Sequence, residues 1–359
     1  MKRPGGPDRL PGHQDKNLRI MTKVNKISVM LIAAIAAASI LSCTKEENAA
    51  TGNHAIGFRS NDVWTKAMVS DEEGLKNGGF HVYAQGTFDG TNETYRFDRH
   101  VTFTDGGWNY KNLEYWLPTC SYVFRAYYPA DLTVSETGDA IQGFELESQY
   151  GTQTDVLMAT ASRSTAQIET AGTTVPLTFK HLLSNLNVTL KVKQDWRDKV
   201  DADGNPVDEN NDGRPDQELV NVLDAKVKAV AFNGVAQKAN YNGVTWNEHT
   251  GSMAVGDNLN PVKDVTAGGV SIFGEDGLLA IPETLAAGDV SLYILADITL
   301  PTGTTMQKEW TLNLDAITWD PNTKYNYVAT LTADFNIEFE EPKVESWGQE
   351  QMSGTVIIR

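Results

Sequence analysis

The sequence predicts an all-β protein made of two β-sandwiches. Three observations carry this. Past residue 50, apolar and polar residues alternate with a period of two almost throughout. Turn dipeptides separate these runs at intervals of about ten residues. No stretch shows a convincing 3.6-residue amphipathic period, although "TFKHLLSNL" has room for one helical turn. The 359 residues, less an export segment, suffice for two domains of ordinary size.

The first 42 residues read as that export signal. Lys23 and Lys26 supply its positive end, and Ile27 to Leu41 its apolar stretch. As a helix this stretch covers about 22 Å, too short for a hydrocarbon core of about 30 Å. Met21 is read as the true start, because the residues before it are polar and rich in Pro and Gly. Ile40-Leu41-Ser42-Cys43 fits a bacterial lipobox, with Leu41 where alanine or serine is commoner. Cys43 is then acylated and becomes the first mature residue, tied to outer-membrane lipid. Residues 43–54 follow as a polar tether.

The strands come next. "FHVYA", "YVFRAYY" and "VPLTF" alternate in the first half, assigned to residues 55–185. In "NLNVTLKV" Leu186, Val188, Leu190 and Val192 share one face, and Asn187, Thr189 and Lys191 the other. "VSLYILADI", "EWTLNLD", "KYNYVATLTA" and "FNIEFE" repeat the pattern in the second half, assigned to 186–359. Asp89-Gly90, Asp105-Gly106, Asn233-Gly234, Asn242-Gly243 and Asp276-Gly277 supply the positive φ of tight turns. "AFNGVAQ" and "NYNGVTW" are therefore predicted hairpins or hairpin edges. The last residues, 353–359, are either the final strand of their own domain or a strand donated to another subunit.

Charge narrows the partners. The formal net charge is −17; residues 1–42 hold seven Lys/Arg and two Asp/Glu, net +5, so the remainder carries −22. Such acidity excludes nucleic acid and a basic membrane-binding face. With Cys43 acylated, Cys120 has no partner and the fold stands without an internal disulfide.

Candidate chemistry is sparse. "DENNDGRPD" sets Asp208, Asn210, Asp212 and Asp216 around Gly213, a spacing like calcium loops, but Leu219 stands where an EF-hand needs its final glutamate. The competing reading is an exposed insertion rich in Asx turns. No cofactor is required. No HExxH, GxSxG, CxxC or phosphate loop is present, and no histidine has ligand spacing, so no enzyme is expected. His181 reads as packed. Trp64, Trp108, Trp116, Trp246, Trp319 and Trp347 admit either core packing or stacking on sugars.

The order of several motifs resembles the fimbrillin family of Bacteroidales pilins and their lipoprotein relatives. These are the lipobox, "IGF" (Ile56–Phe58), "WTKA" (Trp64–Ala67), "FRAYYPA", "DVLMATA", "FKHLLSNLNVTLKV", "ITWDPNTKYNYVATLTA" and "VESWGQE". Thr44-Lys45-Glu46-Glu47 resembles the signal that sends Bacteroidetes lipoproteins to the outer face of the outer membrane. The resemblance implies two tandem transthyretin-like β-sandwich domains. It further implies surface proteolysis after a basic residue, removal of the first strand, and its replacement by a strand from the next pilin subunit. The cut matches Lys66 and Ala67, where lysine replaces the family's usual arginine; Arg59 lies inside the first strand. The expected function is a structural or adhesive fimbrial subunit at the cell surface, meeting other pilins and surface ligands of host or bacteria. The alternative is a non-polymerising, glycan-binding surface lipoprotein.

Overall fold

The structure, a computed structural model, describes residues 54–60 and 72–347. Cys43, Trp64, Lys66, Ala67 and the 353–359 tail lie outside them.

The first half begins with β1 (Gly57–Ser60) and a short helix α1 (Glu72–Gly78). It continues through β2 (Phe80–Phe88), β3 (Thr94–Thr104), β4 (Gly107–Asn109), β5 (Cys120–Tyr128) and β6 (Ile141–Glu145). Then come β7 (Leu157–Ser164), helix α2 (Ile168–Ala171), β8 (Thr174–Leu177) and β9 (Lys180–His181). Six of these strands form an antiparallel sheet in the order β4-β3-β2-β5-β7-β9. Alternation buries Phe80, Val82 and Ala84 of β2 against Tyr122, Phe124 and Ala126 of β5. Gly86 is needed where β2 crosses β5, because a Cβ there would sit 2.7 Å from the Cys120 sulfur and 2.8 Å from the Tyr122 ring. The buried Cys120 thus fills a small space, and burial pushes its thiol pKa up. The parallel pair β1-β8 covers the inner face of this sheet through Ile56, Phe58, Val175 and Leu177.

The second half holds β10 (Ser184–Val192), the hairpin β11 (Gln194–Asp198) and β12 (Gln217–Asn221), and β13 (Asp224–Val235). β14 (Lys238–Tyr241), β15 (Trp246–Thr250), β16 (Met253–Val265), β17 (Val270–Ser271), β18 (Leu278–Ala280) and β19 (Thr284–Leu285) follow. The chain ends in β20 (Ser291–Thr299), β21 (Thr305–Asn313), β22 (Ile317–Thr318), β23 (Thr323–Leu331), β24 (Ile337–Phe339) and β25 (Lys343–Ser346). One sheet runs β17-β10-β23-β24, with β18 on β10 and β25 on β23; the other runs β16-β13-β20-β21. Leu186, Val188, Leu190 and Val192 of β10 point inward as their alternation predicts and meet Phe232, Ile294 and Tyr327 in one core. The protein is therefore a β-sandwich fold, and its buried residues gather into two cores.

The cores change over in sequence between Phe179 and Leu182. Tyr127, Ile141, Leu146 and Val156 nevertheless belong to the second core, and β6 pairs with β14 in a three-stranded sheet. Two expectations need correction. Asn233-Gly234 does not turn the chain: Gly234 (φ 100°) sits in a bulge where the register of β13 against β16 shifts. Its backbone is pressed against the Asp289 carbonyl, a distance only glycine tolerates. "TFKHLLSNL" forms no helical turn; Lys180–His181 extends β7's sheet instead. The α-helices among the described residues span seven and four residues, too short to show a period.

Candidate functional site: the first strand and its slot

The segment His54–Ser60 changes partners midway. Its early half bonds to residues 114–116: the Ile56 amide donates to the Glu114 carbonyl at 2.8 Å, and the Trp116 amide to the His54 carbonyl at 2.9 Å. Its later half, β1, runs parallel to β8 in register Gly57↔Thr174 to Ser60↔Leu177. Strand spacing puts Ile56 and Phe58 on the same side, and both are buried, while Arg59 between β-neighbours is exposed. The Phe58 ring lies 5.5 Å from Tyr110 and 5.8 Å from Phe124.

Polar groups fix the rim of this slot. The Tyr110 hydroxyl donates to the Ile56 carbonyl at 2.7 Å and accepts from the Glu114 amide at 3.2 Å. Burial raises its pKa, so it stays a donor. The Trp116 indole N–H donates to the Thr173 carbonyl at 3.1 Å, holding the approach to β8. Glu114 is buried, paired with Arg99, and accepts from the Tyr95 hydroxyl at 2.6 Å. That bond raises the Tyr95 pKa. The arrangement holds one extended strand with apolar residues two apart. In the sequence Ile56–Phe58 stood out only as a motif, and Tyr110, Glu114 and Arg99 not at all, because their roles appear only when distant loops meet.

The predicted loop residues fall together on the β11–β12 connection. Asp208 accepts from the Asp212 and Gly213 amides at 3.2 and 2.9 Å, Asn210 from the Asp212 amide at 2.9 Å, and Asp212 from the Arg214 amide at 2.9 Å. Asp216 accepts from the Glu209 amide at 3.0 Å. These are the bonds of a loop that holds itself in shape. Among the described residues no group of three or more His, Cys, Asp or Glu side chains is placed to hold a metal ion. Trp116, Trp246, Trp319 and Trp347 are buried and Trp108 half-buried. Trp246 donates to the Leu182 carbonyl at 2.6 Å and Trp319 to the Tyr327 hydroxyl at 2.9 Å. His181 is packed, its ring stacked 3.7 Å from Trp347 and paired with Asp155. Trp196 was not singled out from the sequence, yet it is the tryptophan left 65 % exposed.

No helix among the described residues is long and apolar enough to cross a membrane. A family model described as fimbrillin-like matches residues 65–347. Among solved structures, a fimbrial protein from Bacteroides vulgatus is 19 % identical, with a TM-score of 0.60, covering 82 % of this chain and 100 % of its own. A candidate cell adhesion protein from Parabacteroides distasonis is 13 % identical (TM-score 0.45; 82 % of this chain, 97 % of that one). Another, from Bacteroides uniformis, is 17 % identical (TM-score 0.39; 84 % and 100 %). No curated protein matches the chain significantly.

Proposed function

Since the chain belongs to the fimbrillin-like family, we propose that it is a structural or adhesive subunit of a surface fimbrium, delivered as a lipoprotein acylated at Cys43. Its two cores are taken as two tandem domains, divided near residue 185. Proteolysis between Lys66 and Ala67 releases it from the membrane, and a strand from another subunit then fills the slot of the first strand. One observation carries this reading: Ile56 and Phe58, which fill the slot, precede the Lys66–Ala67 bond in the chain. A cut there detaches β1 and leaves β8 without its partner and the aromatic floor open. Burying two such side chains contributes about 1.5–3 kcal/mol each, and each ladder bond about 0.5–1.5 kcal/mol, so a vacated slot has a strong preference for a replacement.

The 353–359 tail is the proposed replacement, with Val356 and Ile358 two apart like Ile56 and Phe58. The test is the N-terminus of the protein taken from the cell surface, by intact mass and N-terminal sequencing. A chain beginning at Ala67 is expected. A chain still beginning at acylated Cys43 would sink the strand-exchange reading and leave a membrane-held lipoprotein.

A further inference from the structure

The β11–β12 hairpin presents one largely exposed face, whose residues Gln194, Asp198, Leu219 and Asn221 line a pocket with Thr299 and Pro301. Pairing sets Gln194 opposite Asn221, Trp196 opposite Leu219, and Asp198 opposite Gln217. Alternation places these six side chains on one side of the ribbon. Trp196 and Leu219 are 65 % and 49 % exposed. The rows above and below them are polar and already ordered: the Gln194 amide donates to Asn221 at 3.2 Å, and the Gln217 amide donates to Asp198.

We propose that this face is a binding site for a neutral saccharide, stacked on the Trp196 indole and hydrogen-bonded by the flanking amides and Asp198. A pyranose has an apolar C–H face and a rim of hydroxyls that both donate and accept. Each strand rises about 3.4 Å per residue, so the polar rows lie about 7 Å to either side of the indole. The rim hydroxyls of a sugar ring centred on it, each with one hydrogen bond added, span that separation to side chains leaning inward from the two rows. Asn and Gln amides offer both donors and acceptors, and a carboxylate accepts more than one bond. An apolar protein partner fits less well, because the apolar part is one row and the amide rows beside it would need pairing in a dry interface. A nucleic acid, an acidic glycan or a second copy of this acidic chain meets Asp198 on this face and a net charge of −17. The site is separate from the slot of β1 and does not depend on strand exchange.

The probe is an array of neutral, sulfated and sialylated oligosaccharides, followed by titration of the neutral hits with the full surface-released protein. Neutral glycans are expected to bind, Trp196→Ala to weaken them about tenfold or more, and Trp196→Phe to retain part of the affinity. Gln194→Ala with Asn221→Ala, which leave the indole in place, should also weaken binding. Laddering of subunits on gels should be unchanged in all of them. Three results overturn the proposal: no neutral glycan binds, binding survives Trp196→Ala, or Trp196→Ala abolishes the ladders, which would give this face to a neighbouring subunit.

Discussion

At the residue scale the slot rests on a few side chains of unequal kind. Phe58 is buried between Tyr110 and Phe124, so Phe58→Ala in the uncut protein should lower stability by about 3–5 kcal/mol, read as a shift of the urea midpoint. Tyr110→Phe keeps the ring and removes the hydroxyl that joins Ile56 to Glu114; a loss of about 1 kcal/mol is expected. Glu283 gives a pH prediction. Burial, the largest cause, raises its carboxyl pKa above the ordinary 4.5. The folded protein then holds this proton more tightly than the unfolded chain. Its stabilising contribution is complete below about pH 4.5 and is lost as pH rises through the folded pKa. Glu283→Gln should therefore raise stability at neutral pH and flatten the dependence just above pH 4.5, measured by urea melts across pH. Much of this scale was legible beforehand. Leu186, Val188 and Leu190 declared their inward face by alternation, because burial on a strand has period two. Glu114 and Tyr110 did not, because their partners lie in other parts of the chain and no local pattern encodes such meetings.

At the element scale β1 is the weak member: four residues, one parallel ladder, and a change of partner at Ile56. Cutting the purified protein after Lys66 and removing the fragment should raise amide exchange in β8 far more than in β2 or β5, which sit inside the six-stranded sheet. A peptide of residues 353–359 should restore protection, and the same peptide with aspartate at positions 356 and 358 should not. If the unmodified peptide fails, the tail is not the strand that fills the slot. Strand existence was readable because alternation and turn dipeptides agreed. The role of Asn233-Gly234 was not: a positive φ serves a bulge as well as a turn, and the choice was made by pairing of β13 with both β16 and β20. Nor did sequence reveal that β1 pairs in parallel, since register and direction are decided by the partner strand.

At the scale of the whole molecule charge and connectivity dominate. Like-charged subunits repel, so assembly of the trimmed protein should quicken between about 0.01 M and 0.15 M salt, as the screening length falls from about 30 Å to about 8 Å; light scattering reads the rate. The acidity was evident from composition. The crossing of β6 into the second core was not, because three residue pairs between "IQGFE" and β14 leave no mark in either segment alone. That crossing has a mechanical consequence. The pairing of β6 with β14 ties the first core to the second. Pulled from residues 54 and 347, the described part should yield in a single rip rather than two, read by single-molecule force extension.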